Sequence, residues 1–75
     1  MNLFEAPFRQ PLRVSTLARL NEDVRLVLIQ LGVDQDEWIE KMHVAPLGDP
    51  VSLRIGQQLF TLRKEICRQI DVELQ

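Results

Sequence analysis

Short segments of alternating apolar and polar residues dominate the chain, and such alternation is typical of half-buried β-strands. It is clearest in Val51–Ile55, where valine, leucine and isoleucine alternate with serine and arginine. The five predicted strands are residues 12–16, 37–45, 51–55, 58–62 and 70–74. Beyond Thr16 the phase of the alternation changes, because Leu17 and Leu20 fall on new positions. This change predicts a bulge or a bend into a helix.

Residues 21–31 carry apolar side chains at helical spacing and predict an α-helix between the first two strands. Asn21 can accept a hydrogen bond from the first turn, where Glu22 and Asp23 lie at the end of the helix dipole that favours negative charge. Gly32 follows as the residue that ends the helix in a left-handed conformation. The stripe predicted to be buried consists of Val24, Val27, Leu28 and Leu31. A second, shorter helix is predicted over residues 63–68.

Two glycine-containing segments predict tight turns between strands. Gly48-Asp49 fits the central positions of a type II′ turn, with Pro50 as the first residue of the next strand. Gly56-Gln57 predicts a second hairpin turn of the same kind. Closing a small sheet into a barrel removes the exposed edges that an open sheet would have. The predicted fold class is therefore mainly β with two added helices, a small β-barrel of about five strands.

The length of 75 residues is enough for one small domain, predicted to span residues 1–75. Residues 1–11 form an N-terminal lead-in that two prolines interrupt. Its apolar side chains have two interpretations, either a lid over the core or a docking peptide. A domain of this size without disulfides or a metal has little stability in reserve, so self-association stays open as a further possibility.

The charge balance argues against nucleic acid as a partner. Nine Lys and Arg residues against 11 Asp and Glu residues give a net charge of -2, whereas nucleic-acid affinity depends on clustered cations. The chain shows no signal-peptide pattern and no apolar run long enough to cross a membrane. We therefore expect a cytoplasmic protein with no direct membrane insertion.

Residues for catalysis or cofactor binding are sparse. Cys67 and His43 fall in a predicted helix and a predicted strand, and nothing in their spacing brings them together as nucleophile and base. Asp34, Asp36 and Glu37 are close in sequence, but a calcium loop needs more oxygen ligands and a turn glycine. No glycine opens a helix, so no phosphate-binding loop is predicted. We expect no enzymatic activity, no cofactor and no metal site.

The first helix has more apolar residues than one buried stripe requires. Leu26 and Ile29 fall on the side opposite the stripe, beside Arg25. They are either covered by the lead-in or a neighbouring molecule, or they form a small exposed patch for another protein. Arg25, Leu26 and Ile29 are the predicted partner-binding residues. The basic residues of the second helix have a similar pair of interpretations, a solvated face or a contact with an acidic partner.

Four sequence segments resemble one known family. Residues 44–51, Val-Ala-Pro-Leu-Gly-Asp-Pro-Val, look like the ferrous iron transport protein A (FeoA) family. Residues 28–33 resemble its Leu-x-x-Leu-Gly helix end, residues 59–65 its Leu-x-Leu-Arg-Arg/Lys-x-Glu segment, and residues 70–73 its closing strand. One departure is that Asp-Gln-Asp replaces the Pro-Gly that the family usually has after the helix-ending glycine.

The resemblance implies an SH3-like β-barrel with added helices, which agrees with the predicted order of elements. It also implies a cytoplasmic accessory protein of ferrous iron uptake, whose partner is the cytoplasmic GTPase region of the ferrous iron permease, the B protein. The resemblance supplies no catalytic motif. An alternative is a metal-responsive regulatory domain that contacts transition-metal ions, as in SH3-like modules fused to iron-dependent repressors. A third hypothesis, a GTPase activator, needs an arginine such as Arg25 or Arg63 at the nucleotide.

Overall fold

The computed structural model describes residues 1–75, which form five strands and two helices in the predicted order. The elements are β1 (Leu12–Thr16), α1 (Glu22–Gln30), β2 (Trp38–Val44), β3 (Val51–Ile55), β4 (Gln58–Leu62), α2 (Lys64–Cys67) and β5 (Asp71–Leu74). This order confirms the mainly β architecture with two added helices. Neither helix has the length and apolar character that crossing a bilayer requires.

The five strands form one antiparallel sheet in the order β4-β3-β2-β1-β5. The molecule measures 29 × 25 × 23 Å, so the sheet is strongly curled rather than flat. Register shifts between Val14 and Thr16 and between Lys41 and His43 add local bends. The first of these shifts lies just before the phase change predicted beyond Thr16. β4 and β5 are the two edges, and α2 joins them along the chain.

The inner face of the curled sheet carries the core. Leu12 and Val14 of β1, Leu53 of β3 and Val72 of β5 are fully buried, as the alternation along these strands predicts. The core cluster holds 15 buried hydrophobic residues in all. Burial of each large aliphatic side chain stabilises the fold by about 1.5–3 kcal/mol, so this cluster is the main source of stability.

Both ends of α1 follow the predicted local chemistry. The N–H of Val24 donates to Oδ1 of Asn21 at 2.9 Å, which confirms the predicted N-cap. Gly32 has a φ of 97°, and the N–H of Val33 reaches back to the carbonyl of Leu28 at 2.8 Å. This is the Schellman arrangement, in which a left-handed residue ends the helix and two apolar residues meet across the end.

The turn between β3 and β4 is the predicted two-residue hairpin. Ile55 pairs with Gln58, so Gly56 and Gln57 are the loop. Gly56 has a φ of 58°, whereas Gln57 is not in the left-handed region. A positive φ at the first central position alone is the type II′ pattern, and glycine adopts it without steric strain.

The type II′ turn predicted at Gly48-Asp49 is wrong. The N–H of Gly48 donates to the carbonyl of Ala45 at 2.7 Å, so the turn begins at Ala45, two residues earlier than predicted, and Pro46 takes its second position. Proline favours that position because its ring fixes φ near the value the turn needs. Gly48 follows with a φ of 88°, and Pro50 precedes β3 instead of beginning it.

The loop that departs from the FeoA pattern turns at Asp36, which has a φ of 71°. Aspartate tolerates this left-handed conformation better than most residues. The N–H of Asp36 donates to the carbonyl of Val14 at 2.7 Å, and its carboxylate lies 2.8 Å from the guanidinium of Arg13. The loop therefore makes its turn without Pro-Gly and is fixed to β1.

The N-terminal lead-in covers one end of the core, as the lid interpretation predicts. Leu3 and Ala6 are buried, and the N–H of Leu3 donates to the carbonyl of Ile70 at 2.8 Å. The N–H of Val72 donates to the carbonyl of Met1 at 2.8 Å. Residues 1–3 therefore extend the sheet beside β5, which supports the lid interpretation for Leu3, whereas Phe8 of the lead-in is 47% exposed.

The buried side chain of Lys41 holds the lead-in in place by hydrogen bonds to its backbone. This side chain points to the core side of β2 and is only 4% exposed. Its Nζ donates to the carbonyls of Phe4 and Ala6 and lies 4.4 Å from the centre of the Phe8 ring. Burial lowers the pKa of Lys41, while the carbonyl and cation–π contacts compensate for part of the lost hydration.

Candidate partner-binding surface

The three predicted partner-binding residues lie on α1. Leu26 is 51% exposed and Ile29 is 37% exposed, while Arg25 is half-buried. Arg25 and Ile29 are one helical turn apart and line the same shallow depression of about 180 Å³, whereas Leu26 lies outside it. The other residues of this depression are Thr16, Leu17, Ala18, Asp34 and Gln35. The lead-in leaves Leu26 exposed.

The predicted buried stripe of α1 contacts the core at two of its four positions. Leu28 is fully buried and Val24 is half-buried, but Val27 is 55% exposed and Leu31 is 46% exposed. The helix spans only nine residues, and its contacts with the core run along a narrow line through Val24 and Leu28. As a result, α1 exposes apolar side chains on both flanks of that line.

The second flank of α1 faces α2 across a groove that the sequence analysis missed. This groove has a volume of about 290 Å³ and is lined almost wholly by apolar side chains. Val27 of α1, Leu62 of β4 and Ile66 of α2 contribute to it. The sequence signal for this groove is weak, because it consists only of the apolar residues Leu62 and Ile66 in and beside the short helix. Leu62 and Ile66 lie opposite α1 because of the place of β4 in the sheet, which short-range sequence patterns do not give.

Among the candidate arginines, only Arg25 lacks an ion pair. Arg63 lies 3.3 Å from the carboxylate of Asp49, and Arg68 lies 2.9 Å from that of Glu65. Asp49 also accepts the backbone N–H of Lys64 at 2.9 Å and so caps the start of α2. Two cations of the second helix are therefore already paired within the chain, which favours the solvated-face interpretation for them. The guanidinium of Arg25 has no carboxylate partner within the chain.

The residues considered for nucleophilic or metal chemistry lie apart in the fold. His43 is exposed on β2, whereas Cys67 is fully buried on α2. Burial raises the pKa of Cys67 to about 12, so its thiol stays protonated at neutral pH and is a poor nucleophile. No group of three or more His, Cys, Asp or Glu side chains lies close enough together to hold a metal ion.

Comparison with known proteins identifies the fold and the family. The FeoA domain model matches residues 1–74. No curated protein matches the chain. Among solved structures, iron(II) transport protein A from Clostridium thermocellum has a TM-score of 0.89 at 35% identity, over 99% of this chain. This chain spans only 45% of that protein's length.

Two further structures are similar over the same region. The FeoA protein from Chlorobium tepidum has a TM-score of 0.90 at 27% identity, over 99% of this chain and 70% of that one. ScaR with bound Zn²⁺ has a TM-score of 0.81 at 25% identity, over 99% of this chain and 36% of that one. The expected SH3-like fold is thereby confirmed. Because the family model matches residues 1–74 of 75, the chain belongs to the FeoA domain family.

Proposed function

We propose that this chain is a cytoplasmic protein-interaction module of ferrous iron uptake. It docks on the cytoplasmic GTPase region of the ferrous iron permease, the B protein, and promotes its assembly or activity. The observation that carries the proposal is the exposed apolar surface of α1, with Leu26 and Ile29 beside the unpaired Arg25, in a chain of the FeoA family. Exposed apolar patches rimmed by polar residues mark protein-interaction sites, and arginine is enriched among the residues that dominate binding energy.

The proposal is tested by measuring binding of the chain to the permease's cytoplasmic region. Leu26→Glu places a charge in the proposed contact, and we expect it to weaken binding about tenfold or more. The fold should survive, because half of this side chain is already in water. Leu47→Glu is the matched control, since Leu47 is 93% exposed and lies on a turn away from α1. Equal binding by the two variants would remove α1 from the proposal.

Arg25 tests the electrostatic part of the contact. Arg25→Ala removes a cation that has no partner within the chain, so its effect should appear mainly in the association rate and should weaken at high salt.

Measuring the binding of the chain to the permease's cytoplasmic region with and without GTP distinguishes two modes of action. Nucleotide-dependent binding supports a regulator of the GTPase cycle, and nucleotide-independent binding supports an assembly factor. An unchanged rate of GTP hydrolysis in the presence of the chain would exclude a GTPase activator.

A metal-responsive regulatory domain is the second candidate function. It is favoured by the similarity to ScaR, which was crystallised with Zn²⁺. The exposed His43 is the residue of this chain best suited to a first contact with a transition metal. Anaerobic titration with ferrous iron tests this candidate. Heat or a spectral change that is lost in His43→Ala would support it, and the absence of any signal would end it.

A further inference from the structure

The free edge of the sheet at β4 is built to accept another strand. In the β3–β4 hairpin, Ile55 with Gln58 and Leu53 with Phe60 are register partners. In a two-residue hairpin the pair beside the loop exchanges both backbone hydrogen bonds, and such pairs then alternate with pairs that exchange none. The backbone N–H and C=O groups of Leu59 and Thr61 therefore turn away from β3, and no other backbone group of the chain bonds to them.

The side chains of β4 offer no protection against edge pairing. Natural sheets shield an edge with lysine, proline, an inward charge or a covering segment. The strand reads Gln-Leu-Phe-Thr-Leu and has none of these residues. Leu59 is 71% exposed and Thr61 is exposed beside it, while Phe60 packs partly against the core. β4 is thus an uncharged edge with an apolar outer side chain.

We propose that β4 pairs antiparallel with the β4 strand of a second copy of this chain, about a twofold axis at Phe60. This register sets Leu59 of one copy opposite Thr61 of the other. Their outward N–H and C=O groups then bond to each other, so every outward group of both strands finds a partner. The two Phe60 rings meet as a closely spaced, non-hydrogen-bonded pair, which extends both cores across the axis.

The sequence of β4 favours a second copy because the strand is self-complementary. A twofold axis brings each residue near its own kind, so a charged strand would bring like charges together. β4 carries no charge, and its flanking pairs combine leucine with threonine. A five-residue strand buries less surface than the roughly 20 residues a side of a standard interface. We therefore expect a weak dimer that forms only at high protein concentration.

Sedimentation equilibrium of the full chain, from micromolar to near-millimolar concentration, tests the proposal. The expected result is a monomer that becomes a dimer across this range, and a monomer at every concentration overturns the proposal. In the double variant Leu59→Lys, Thr61→Lys, the proposed register sets lysine opposite lysine, so dimerisation should be lost. The single variant Leu47→Lys adds a cation at a leucine outside β4 that is even more exposed than Leu59, and it should dimerise normally.

Charge complementation tests the register itself. The double variant Leu59→Glu, Thr61→Glu should also be monomeric, but mixing it with the lysine variant sets lysine opposite glutamate at every flanking pair. The mixture should form a heterodimer. Dimers that persist in either charged variant alone, or a mixture that stays monomeric, overturn the proposed interface.

Hydrogen exchange of the unmodified chain keeps the proposal testable if a variant fails to fold. Exchange of the Leu59 and Thr61 amides should slow about tenfold once nine chains in ten are paired. The amide of Arg25, within α1, should exchange at the same rate throughout. Exchange of Leu59 and Thr61 that does not depend on concentration contradicts the pairing. This result is independent of docking at α1, since that surface includes neither residue.

Discussion

The two edge strands of the sheet, β5 and β4, differ in what happens to their outward backbone groups: another segment of the chain pairs with β5, and none pairs with β4. At the β5 edge, Asn2 bridges to Asp71, and the backbone of Met1 exchanges bonds with Val72 in both directions. The side chains of Asp71 and Glu73 add charge to that edge. At the β4 edge no segment covers the strand, and no side chain is charged.

This difference shows that whether an edge strand is covered depends on the segment beside it, here the lead-in beside β5. The lead-in is fixed to the β5 side by Leu3 in the core and by Lys41 beneath it. The lead-in therefore pairs with the β5 edge within the chain, whereas the β4 edge can pair only with another molecule. Substitutions at the β5 side should change stability, and substitutions at the β4 side should change association.

The largest effect is expected for Leu3→Ala, which removes the anchor of the lead-in. Leu3 is fully buried, and such truncations cost about 2–5 kcal/mol of unfolding free energy. Urea unfolding measures this loss. The matched change at the other edge, Leu59→Ala, removes a mostly exposed side chain and should stay within about 0.5 kcal/mol of the parent. Equal losses at the two edges would contradict the comparison.

A smaller and more local effect is expected for Lys41→Met. Methionine keeps an unbranched apolar side chain of nearly the same length but leaves the carbonyls of Phe4 and Ala6 without their donor. We expect the lead-in to lose about 1–3 kcal/mol of local stability. Exchange of the Val72 amide, which donates to Met1, should then accelerate. If Val72 exchanges at the parent rate, Lys41 does not hold the lead-in.

Cys67 lies on α2, between the two edges, and gives a pH-dependent readout. Burial raises the pKa of its thiol to about 12 in the folded state, against 9.0 as its ordinary value. As pH rises above 9, the unfolded chain loses this proton while the folded chain keeps it, so stability falls towards pH 12. The lowered pKa of Lys41 acts in the opposite direction, because the folded chain loses that proton first.

Comparing the parent with Cys67→Ala isolates the thiol. Unfolding free energies measured between pH 8 and the highest pH at which both fold should fall more steeply in the parent. Equal slopes in the two proteins would mean that the thiol titrates normally in the folded state. Labelling by a thiol reagent should be slow in the native parent and faster in Leu3→Ala, since the reagent needs the buried thiol exposed.

The smallest effect is expected for Arg19→Ala beside β5. Arg19 donates to both carboxylate oxygens of Asp71, at 3.1 and 2.6 Å, and half of its side chain is exposed. Surface ion pairs of this kind contribute about 0–1 kcal/mol. Thermal unfolding at low and high salt measures the contribution, and the difference between variant and parent should shrink as salt screens the pair. A difference that grows with salt would assign Arg19 another role.

Local sequence chemistry predicted much of the fold. The N-cap at Asn21, the left-handed Gly32 and the hairpin at Gly56-Gln57 each depend on a few neighbouring residues, and each is present. The strands followed from alternation, since a residue's face in a strand is decided by its position alone. The family could also be identified from the order of proline and glycine in residues 44–51.

Features that depend on distant residues were not predictable in the same way. The buried line of α1 passes through Leu28 but not Val27, because the direction from which the sheet approaches the helix is a property of the whole fold. Burial of Lys41 was missed for a related reason: its hydrogen-bond acceptors lie 35 and 37 residues away in sequence. The turn at Pro46 was misplaced because two proline–glycine interpretations of one segment compete locally.

The pairing of Met1 with Val72 joins residues that are 71 positions apart. During synthesis, residues 1–3 leave the ribosome well before β5, the strand beside which they pair. At about 5–20 residues per second, the lead-in waits for several seconds with its apolar side chains unburied. The lead-in is therefore made early but reaches its final place late, and until β5 has been made its apolar side chains stay in contact with water.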